Sequence, residues 1–205
     1  RAISKISSLL NDSINAKKFE SKASIIKQQL QNRLWNKKLN FFGVLPRNYN
    51  NNSQLVNVRE LLGYIPWYFN LPDDNPKYRV AWKKLKDTTG FLAPYGLTVA
   101  ERSHPFFKIS YEGHECQWNG PSWPYSTSQT LKALSNYLNN YSKNKSISKD
   151  DYYPLLLQYA RSHKILNEKG GKQNWIDENI NPFTGDWISR TRLKTWENGT
   201  WSEGK

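Results

Sequence analysis

The sequence is poor in sulfur-containing residues, and this excludes two kinds of site. Cys116 is the single cysteine among 205 residues, so neither an intrachain disulfide nor a multi-cysteine zinc site can form. Its neighbours Glu115 and Trp118 favour a small buried side chain over a nucleophile. There is no methionine, and the first residue is Arg1, so we expect the chain to be part of a longer protein.

Long apolar runs are also lacking. No stretch approaches the ~18 apolar residues of a membrane-spanning helix, and no signal peptide is visible. We therefore expect no membrane partner. Strand-type alternation of polar and apolar residues is scarce as well, which argues against a sheet as the main element.

Positive charge is abundant, with a formal net charge of +13. The lysines are scattered singly or in short pairs, such as Lys17 and Lys18 or Lys37 and Lys38, and form no long basic block. We interpret them as solvated helix faces and expect no nucleic-acid partner, although a basic nucleic-acid binder is the third function class to test.

Aromatic residues are frequent, with nine Trp and twelve Tyr, so a folded domain is expected. Large rings serve as core, and they also serve as platforms for the faces of sugar rings. The composition leaves both roles open.

Helical spacing recurs along the chain. Apolar residues at Ile25, Ile26, Leu30 and Leu34 predict a first helix. Further helices are predicted over Tyr78–Leu85, over Thr127–Leu138 and around Ile188–Trp196. A capping box formed by Ser148 and Asp151 predicts the start of another helix. The pattern indicates paired helices whose long loops build a site at one end.

Two long loops, Thr88–Pro124 and Trp175–Asp186, are rich in aromatic residues interspersed with acidic ones. Long structured loops are usually functional, so we expect the site to be built from them. Glycoside hydrolysis needs two carboxyl groups on opposite sides of the scissile bond. The carboxylates in loop contexts are Glu60, Glu101, Glu112, Glu115, Asp177, Glu178 and Asp186.

In the second loop, Asp177 and Glu178 follow Trp175 and precede an Asn-Pro turn. On composition alone a helix cap or a solvated turn is the favoured interpretation, and acid groups presented at a cleft are the alternative. In the first loop, His114 and Glu115 do not continue as H-E-x-x-H, so no metal is expected. Trp118 and Trp123 form either a sugar platform or core.

Four ordered segments resemble a known family. They are Arg59–Phe69 (RELLGYIPWYF), Ala93–Pro105 with APYG and ERSHP, Gln117–Pro124 (QWNGPSWP) and Asp177–Gly185 (DENINPFTG). They are similar to bacterial glycoside hydrolases whose catalytic domain is mannosylglycerate-hydrolase-like, which are relatives of family 63 α-glucosidases and family 37 trehalases.

The resemblance implies an all-α fold, the (α/α)6 barrel of six-hairpin glycosidases. Residues 1–205 would be its C-terminal portion, so that only part of the barrel lies in this chain. It also implies an inverting exo-glycosidase acting on an α-glucoside, an α-mannoside or a related sugar. Glu178 matches the catalytic base of the E-N-x-x-P-x-T-G loop, and the general acid is an Asp expected upstream of this chain. No cofactor is implied.

The expected partners are a carbohydrate substrate and the remaining part of the same catalytic domain. Residues expected to contact the sugar are Trp118, Trp123, Gln117, Trp175, Arg59, Glu60, Trp67, Tyr68, Glu101 and His104. A structural ion pair between Arg59 and Glu60 is an equal alternative to sugar contact. The competing function is a non-catalytic carbohydrate-binding module derived from a decayed glycosidase barrel.

Overall fold

The computed structural model describes residues 1–50, 52–109, 118–142, 146–166 and 170–189. The helices are α1 (Ala2–Leu9), α2 (Ser13–Leu34), α3 (Ile65–Tyr68), α4 (Pro76–Arg79), α5 (Pro124–Asn140) and α6 (Lys149–Ser162), with 3-10 helices at Leu61–Tyr64 and Val80–Leu85. The helical fold class predicted from the sequence is confirmed.

Strands within the described ranges are short and pair only as antiparallel hairpins. They are β1 (Trp35–Asn36) with β2 (Phe41–Phe42), β3 (Leu92–Ala93) with β4 (Gly96–Leu97), and β5 (Lys164–Leu166) with β6 (Lys172–Asn174). They tie loops together and form no extended sheet.

The core is built largely from aromatic rings. Tyr64 stacks on Trp82 with ring centroids 4.5 Å apart, and Trp82 stacks on Tyr137 at 5.0 Å. Phe41 meets Tyr64 edge to face at 4.9 Å. Gly63 is required here, because a Cβ at this position would lie 2.2 Å from Cε1 of Phe41. Each such ring removes ~150–250 Å² from water, so this cluster supplies much of the driving force for folding.

Two long helices follow the core segment and pack against each other. α5 begins with Pro124 at its first turn, where the missing N–H costs nothing, and buries Leu131 and Leu134. α6 begins with the predicted capping box: Asp151 N–H donates to Ser148 Oγ at 3.3 Å, and Ser148 N–H donates to Asp151 Oδ2 at 2.8 Å. Both helix predictions are confirmed.

The other helix predictions have mixed outcomes. The first helix is longer than its apolar pattern, because Asp12 caps α2 by accepting from Asn15 N–H at 3.0 Å. The segment Tyr78–Leu85 is helical, but it divides between α4 and a 3-10 helix. The helix expected around Ile188–Trp196 lies mostly outside the described residues. Among the helices that are described, none combines the length and the apolar character needed to cross a bilayer.

Candidate functional site

Two distant loops are joined by backbone hydrogen bonds. We call residues 118–123 the tryptophan loop and residues 175–187 the Glu178 loop. Ser122 N–H donates to the Ile180 carbonyl at 3.0 Å, and Ile180 N–H donates to the Ser122 carbonyl at 2.8 Å. This reciprocal pair fixes the segment that follows Glu178 beside the segment between Trp118 and Trp123.

A third loop, residues 101–108, joins the same region and is called the histidine loop. The Asn119 side-chain amide donates to the Phe106 carbonyl at 2.7 Å, and Lys108 N–H donates to the Asn119 carbonyl at 3.3 Å. The Arg102 guanidinium lies 4.8 Å from the centre of the Phe183 ring, a cation–π contact with the Glu178 loop. The three loops therefore form one continuous surface.

The two tryptophans predicted to contact sugar lie together. Trp118 and Trp123 are stacked with ring centroids 3.9 Å apart and an interplanar angle of 17°. Trp123 is only 7% exposed and belongs to the core, whereas Trp118 is 41% exposed. Trp118 thus offers a ring face to a ligand, and Trp123 supports it from beneath. Gly120 keeps the loop close, because a Cβ there would lie 1.9 Å from the Lys108 carbonyl oxygen.

Glu60 lies beside this platform. Together with Trp118, Leu62 and Ser126 it lines a cleft of about 70 Å³. Burial raises the pKa of the Glu60 carboxyl, and the charge of His104 opposes that rise. Nδ1 of His104 faces the Phe106 N–H, with 3.3 Å between the two nitrogens, so the ring is held at the turn of the histidine loop. The cleft therefore combines an exposed indole with a carboxyl whose pKa is raised by burial.

Glu178 is exposed and follows a partly buried carboxylate. Its backbone N–H donates to Asp177 Oδ1 at 2.8 Å. Asp177 Oδ2 is buried and has no hydrogen-bond partner among the described residues. The described lining of the Glu60 cleft does not include Glu178. Glu178 is connected to this region through Ile180, which follows it two residues later and pairs with Ser122.

Arg59 and Glu101 form a structural pair. Glu101 Oε1 accepts from Arg59 N–H at 3.1 Å, and Oε2 accepts from Arg59 Nη1 at 2.5 Å. Arg59 Nε also donates to the Leu39 carbonyl at 2.9 Å. The side chains are only 18% and 6% exposed, respectively. The alternative pairing of Arg59 with Glu60 is therefore wrong, because the guanidinium is turned to Glu101.

The remaining predicted residues lie elsewhere. Trp67 is 1% exposed and packs on Phe42 and Trp82 in the core, so its ring has no face left for a sugar. Tyr68 is 37% exposed and packs edge to face on Phe69. Trp175 lines a separate open depression beside His163. Gln117 lies outside the described residues.

Four residues that line the Glu60 cleft were not among the predicted site residues: Leu61, Leu62, Val99 and the polar Ser126. Ser126 lies three residues after Trp123 in the first turn of α5, a spacing that brings side chains to one helix face. This spacing was the available signal. Across the described residues, no group of three or more His, Cys, Asp or Glu side chains could hold a metal ion.

Comparison with known families identifies the class of this domain. Residues 1–200 match the mannosylglycerate hydrolase MGH1-like glycoside hydrolase domain. The chain therefore belongs to this family of glycoside hydrolase domains, and the resemblance found in the sequence is confirmed. No curated protein gives a significant match.

Solved structures show similar folds. A chain described as a sialidase is 38% identical with a TM-score of 0.81, and the match covers 92% of this chain but 16% of that one. An uncharacterized conserved protein from Thermus thermophilus is 15% identical with a TM-score of 0.60, over 89% of this chain and 38% of that one.

The GH63 mannosylglycerate hydrolase from the same organism, solved in complex with glucose, is 17% identical with a TM-score of 0.59. That match covers 89% of this chain and 36% of that one. The chain thus spans well under half the length of these relatives. Its helical fold corresponds to part of a glycosidase barrel.

Proposed function

We propose that this chain supplies the base side of an inverting exo-acting glycoside hydrolase site, with Glu178 as general base. The substrate is an α-glucoside, an α-mannoside or a related sugar. The observation that carries the proposal is the reciprocal pairing of Ser122 with Ile180, which holds the Glu178 loop against the Trp118–Trp123 stack. Membership of a glycoside hydrolase family supports the same chemistry.

The proposed reaction follows the inverting pathway. Glu178 accepts a proton from water, and the water oxygen attacks the anomeric carbon from the face opposite the leaving group. An Asp outside residues 1–205 protonates the leaving oxygen, and the two carboxyl groups lie ~6.5–9.5 Å apart to admit the water. The chain is accordingly the C-terminal portion of an (α/α)6 catalytic domain, and the remaining portion is its partner.

The proposed sugar contacts divide by chemistry. The exposed face of Trp118 packs against the C–H face of the ring, with Trp123 beneath it. Glu60 lines the cleft beside Trp118, and the charge of His104 acts on the Glu60 carboxyl, so both side chains make polar contacts to sugar hydroxyl groups in this proposal. Arg59 and Glu101 support these contacts by fixing the histidine loop to the strand-like segment before Leu61.

The test replaces the base in the full-length protein. Glu178→Gln keeps the side-chain shape but cannot accept the proton, so hydrolysis should fall by ~10²–10⁴-fold. Sugar binding, followed by tryptophan fluorescence, should persist. Glu20→Gln on α2 removes the same charge at an exposed site and is the control. Unchanged hydrolysis in Glu178→Gln would contradict the proposal, and sugar binding without turnover in the unmodified protein would favour the carbohydrate-binding module.

A further inference from the structure

A second cavity, larger than the Glu60 cleft, is lined in part by residues 184–187 of the Glu178 loop. Its volume is about 470 Å³, against about 70 Å³ for the Glu60 cleft, and among the described residues the two have no lining residue in common. It is bounded by the end of α6, the β5–β6 hairpin, Tyr95 and the turn at residues 184–187. We call it the basic cavity because of the charges that line it.

Three cations line the basic cavity: Arg161, Lys164 and Lys172. Asp186 is the one carboxylate in its described lining, and it accepts from the Thr184 hydroxyl at 2.7 Å. No ion pair within the described part of the chain involves any of the three cations. The lining therefore carries a net excess of positive charge, which favours an anionic ligand.

The hairpin register concentrates this charge on one side. Lys172 pairs with Leu166, which lies two residues from Lys164, so the two lysines belong to the same face of the hairpin. They are diagonal neighbours across the two strands, and like charges at that separation repel each other. Arg161 has a structural reason for its place, because a cation in the last turn of α6 opposes the negative end of the helix dipole.

An aromatic ring, that of Tyr95, also lines the basic cavity. The Tyr95 ring is 45% exposed, and its backbone N–H donates to the Pro182 carbonyl at 2.9 Å. Gly185, at φ +83°, allows this ring to approach, since a Cβ there would lie 2.6 Å from Cδ1 of Tyr95. Trp187 Nε1 donates to the Lys164 carbonyl at 3.0 Å and ties the turn to the hairpin. Tyr95 and the hairpin are thus both held in place.

We propose that the basic cavity binds a sugar residue that carries a carboxylate or a sulfate group. The ring of the sugar packs on Tyr95, and its anionic group lies among Arg161, Lys164 and Lys172. The volume falls in the range of ~300–1,000 Å³ that small-molecule sites occupy. Guanidinium and ammonium groups suit both anions, since each offers several oxygen acceptors. The assignment to carbohydrate rests on the proposed function.

Equilibrium binding to the full-length protein tests this proposal. The ligands are D-glucuronate, D-glucose 6-sulfate, D-glucose and inorganic sulfate, each titrated at low and high salt. At least one anionic sugar should bind ten times more tightly than glucose and than inorganic sulfate, and salt should weaken it. Whichever of the two binds more tightly identifies the anionic group. Equal affinity for glucose and both anionic sugars would overturn the proposal, and so would equal affinity for inorganic sulfate.

Variants locate the binding. Arg161→Gln combined with Lys172→Gln should reduce the preference for the anionic sugar at least tenfold. Lys17→Gln combined with Lys132→Gln removes the same charge from exposed positions and should leave the preference unchanged. Tyr95→Leu should weaken the anionic sugars and not inorganic sulfate. If the Arg161 and Lys172 double variant binds as the unmodified protein does, the cavity is not the site.

The affinity for anionic sugars does not depend on whether Glu178 is the general base. Glu178 does not line the basic cavity, so Glu178→Gln should leave the anionic-sugar affinity unchanged. If Glu178→Gln keeps full hydrolysis, the proposed mechanism fails, while the affinities above still decide the basic cavity.

Discussion

At the scale of single residues, two glutamates close in space have opposite surroundings. Both oxygens of Glu101 accept from Arg59, so its charge is matched inside the protein. Glu60 lies in the cleft beside Trp118, where burial raises its pKa and His104 opposes the rise. A matched buried carboxylate holds loops together, whereas a carboxyl with a raised pKa in a cleft is typical of a functional site.

Stability should therefore depend on pH through Glu60. Its folded-state pKa lies above the unfolded value of ~4.3, so the fold favours the protonated form. The contribution of the Glu60 carboxyl to stability is complete at pH values below its pKa in the unfolded chain. It is lost as pH rises through the pKa of Glu60 in the folded protein. Glu60→Gln mimics the protonated form, so its gain in unfolding free energy over the unmodified protein should be greater at pH 7 than at pH 4. Urea unfolding at both pH values measures this.

The control for that experiment is Glu20→Gln, since Glu20 is exposed on α2. Its effect on unfolding free energy should be the same at both pH values. An equal effect of Glu60→Gln at pH 4 and pH 7 would show that the folded protein does not perturb this carboxyl.

Glu101→Gln should be strongly destabilising. It leaves the Arg59 guanidinium, 18% exposed, without its counter-charge, and losing one partner of a buried pair costs ~3–5 kcal/mol. Lys86→Gln is the comparison, because the exposed Lys86–Asp151 pair is worth ~0–1 kcal/mol. Denaturant unfolding gives both values. If Glu101→Gln lost sugar binding while keeping its stability, Glu101 would be a ligand contact and not a structural carboxylate.

At the scale of elements, predictability follows the range of the interaction. The capping box at Ser148 and the Leu131–Leu134 stripe are local patterns, and α5 and α6 appear where these patterns predict them. The Ser122–Ile180 pairing joins backbone groups far apart in sequence and leaves no local pattern. The role of a tryptophan is also hard to predict from sequence, because Trp67 and Trp118 have the same side-chain chemistry. Only their packing in the fold shows that Trp67 belongs to the core and Trp118 to the surface.

The turn at Gly185 should be sensitive to a single added methyl group. Gly185→Ala forces a positive φ of +83° and places Cβ against the Tyr95 ring. Gly170→Ala forces a similar φ of +75°, and no atom of the described residues lies within 4 Å of the added Cβ, so this variant measures the backbone cost. We expect Gly170→Ala to lower the unfolding free energy by ~1–2 kcal/mol. Gly185→Ala should lower it by ~1–3 kcal/mol more. Equal losses in unfolding free energy would mean that Tyr95 does not pack on this turn.

At the scale of the whole molecule, the chain is one part of a larger catalytic unit in the proposed function. It covers 36% of the GH63 mannosylglycerate hydrolase structure and 16% of the chain described as a sialidase. We expect residues 1–205 alone to hydrolyse no unactivated glycoside, because the proposed acid lies outside them and each acid–base group is worth ~10²–10⁴-fold. Assays of a panel of α- and β-linked disaccharides with the fragment check this, and clear turnover would place an acid within this chain, with Glu60 and Glu101 the first to test.

The stereochemistry of hydrolysis tests the central proposal most directly. A base that activates water gives one displacement at the anomeric carbon, so the first product must have the opposite configuration to the substrate. The full-length protein is mixed with a disaccharide that it hydrolyses, and proton NMR records the anomer of the sugar product that forms first. The spectra are taken before mutarotation mixes the two anomers. We predict the inverted anomer, and its formation should cease in Glu178→Gln. A retained anomer would mean that a carboxylate attacks the sugar itself, which contradicts the role of Glu178 as general base.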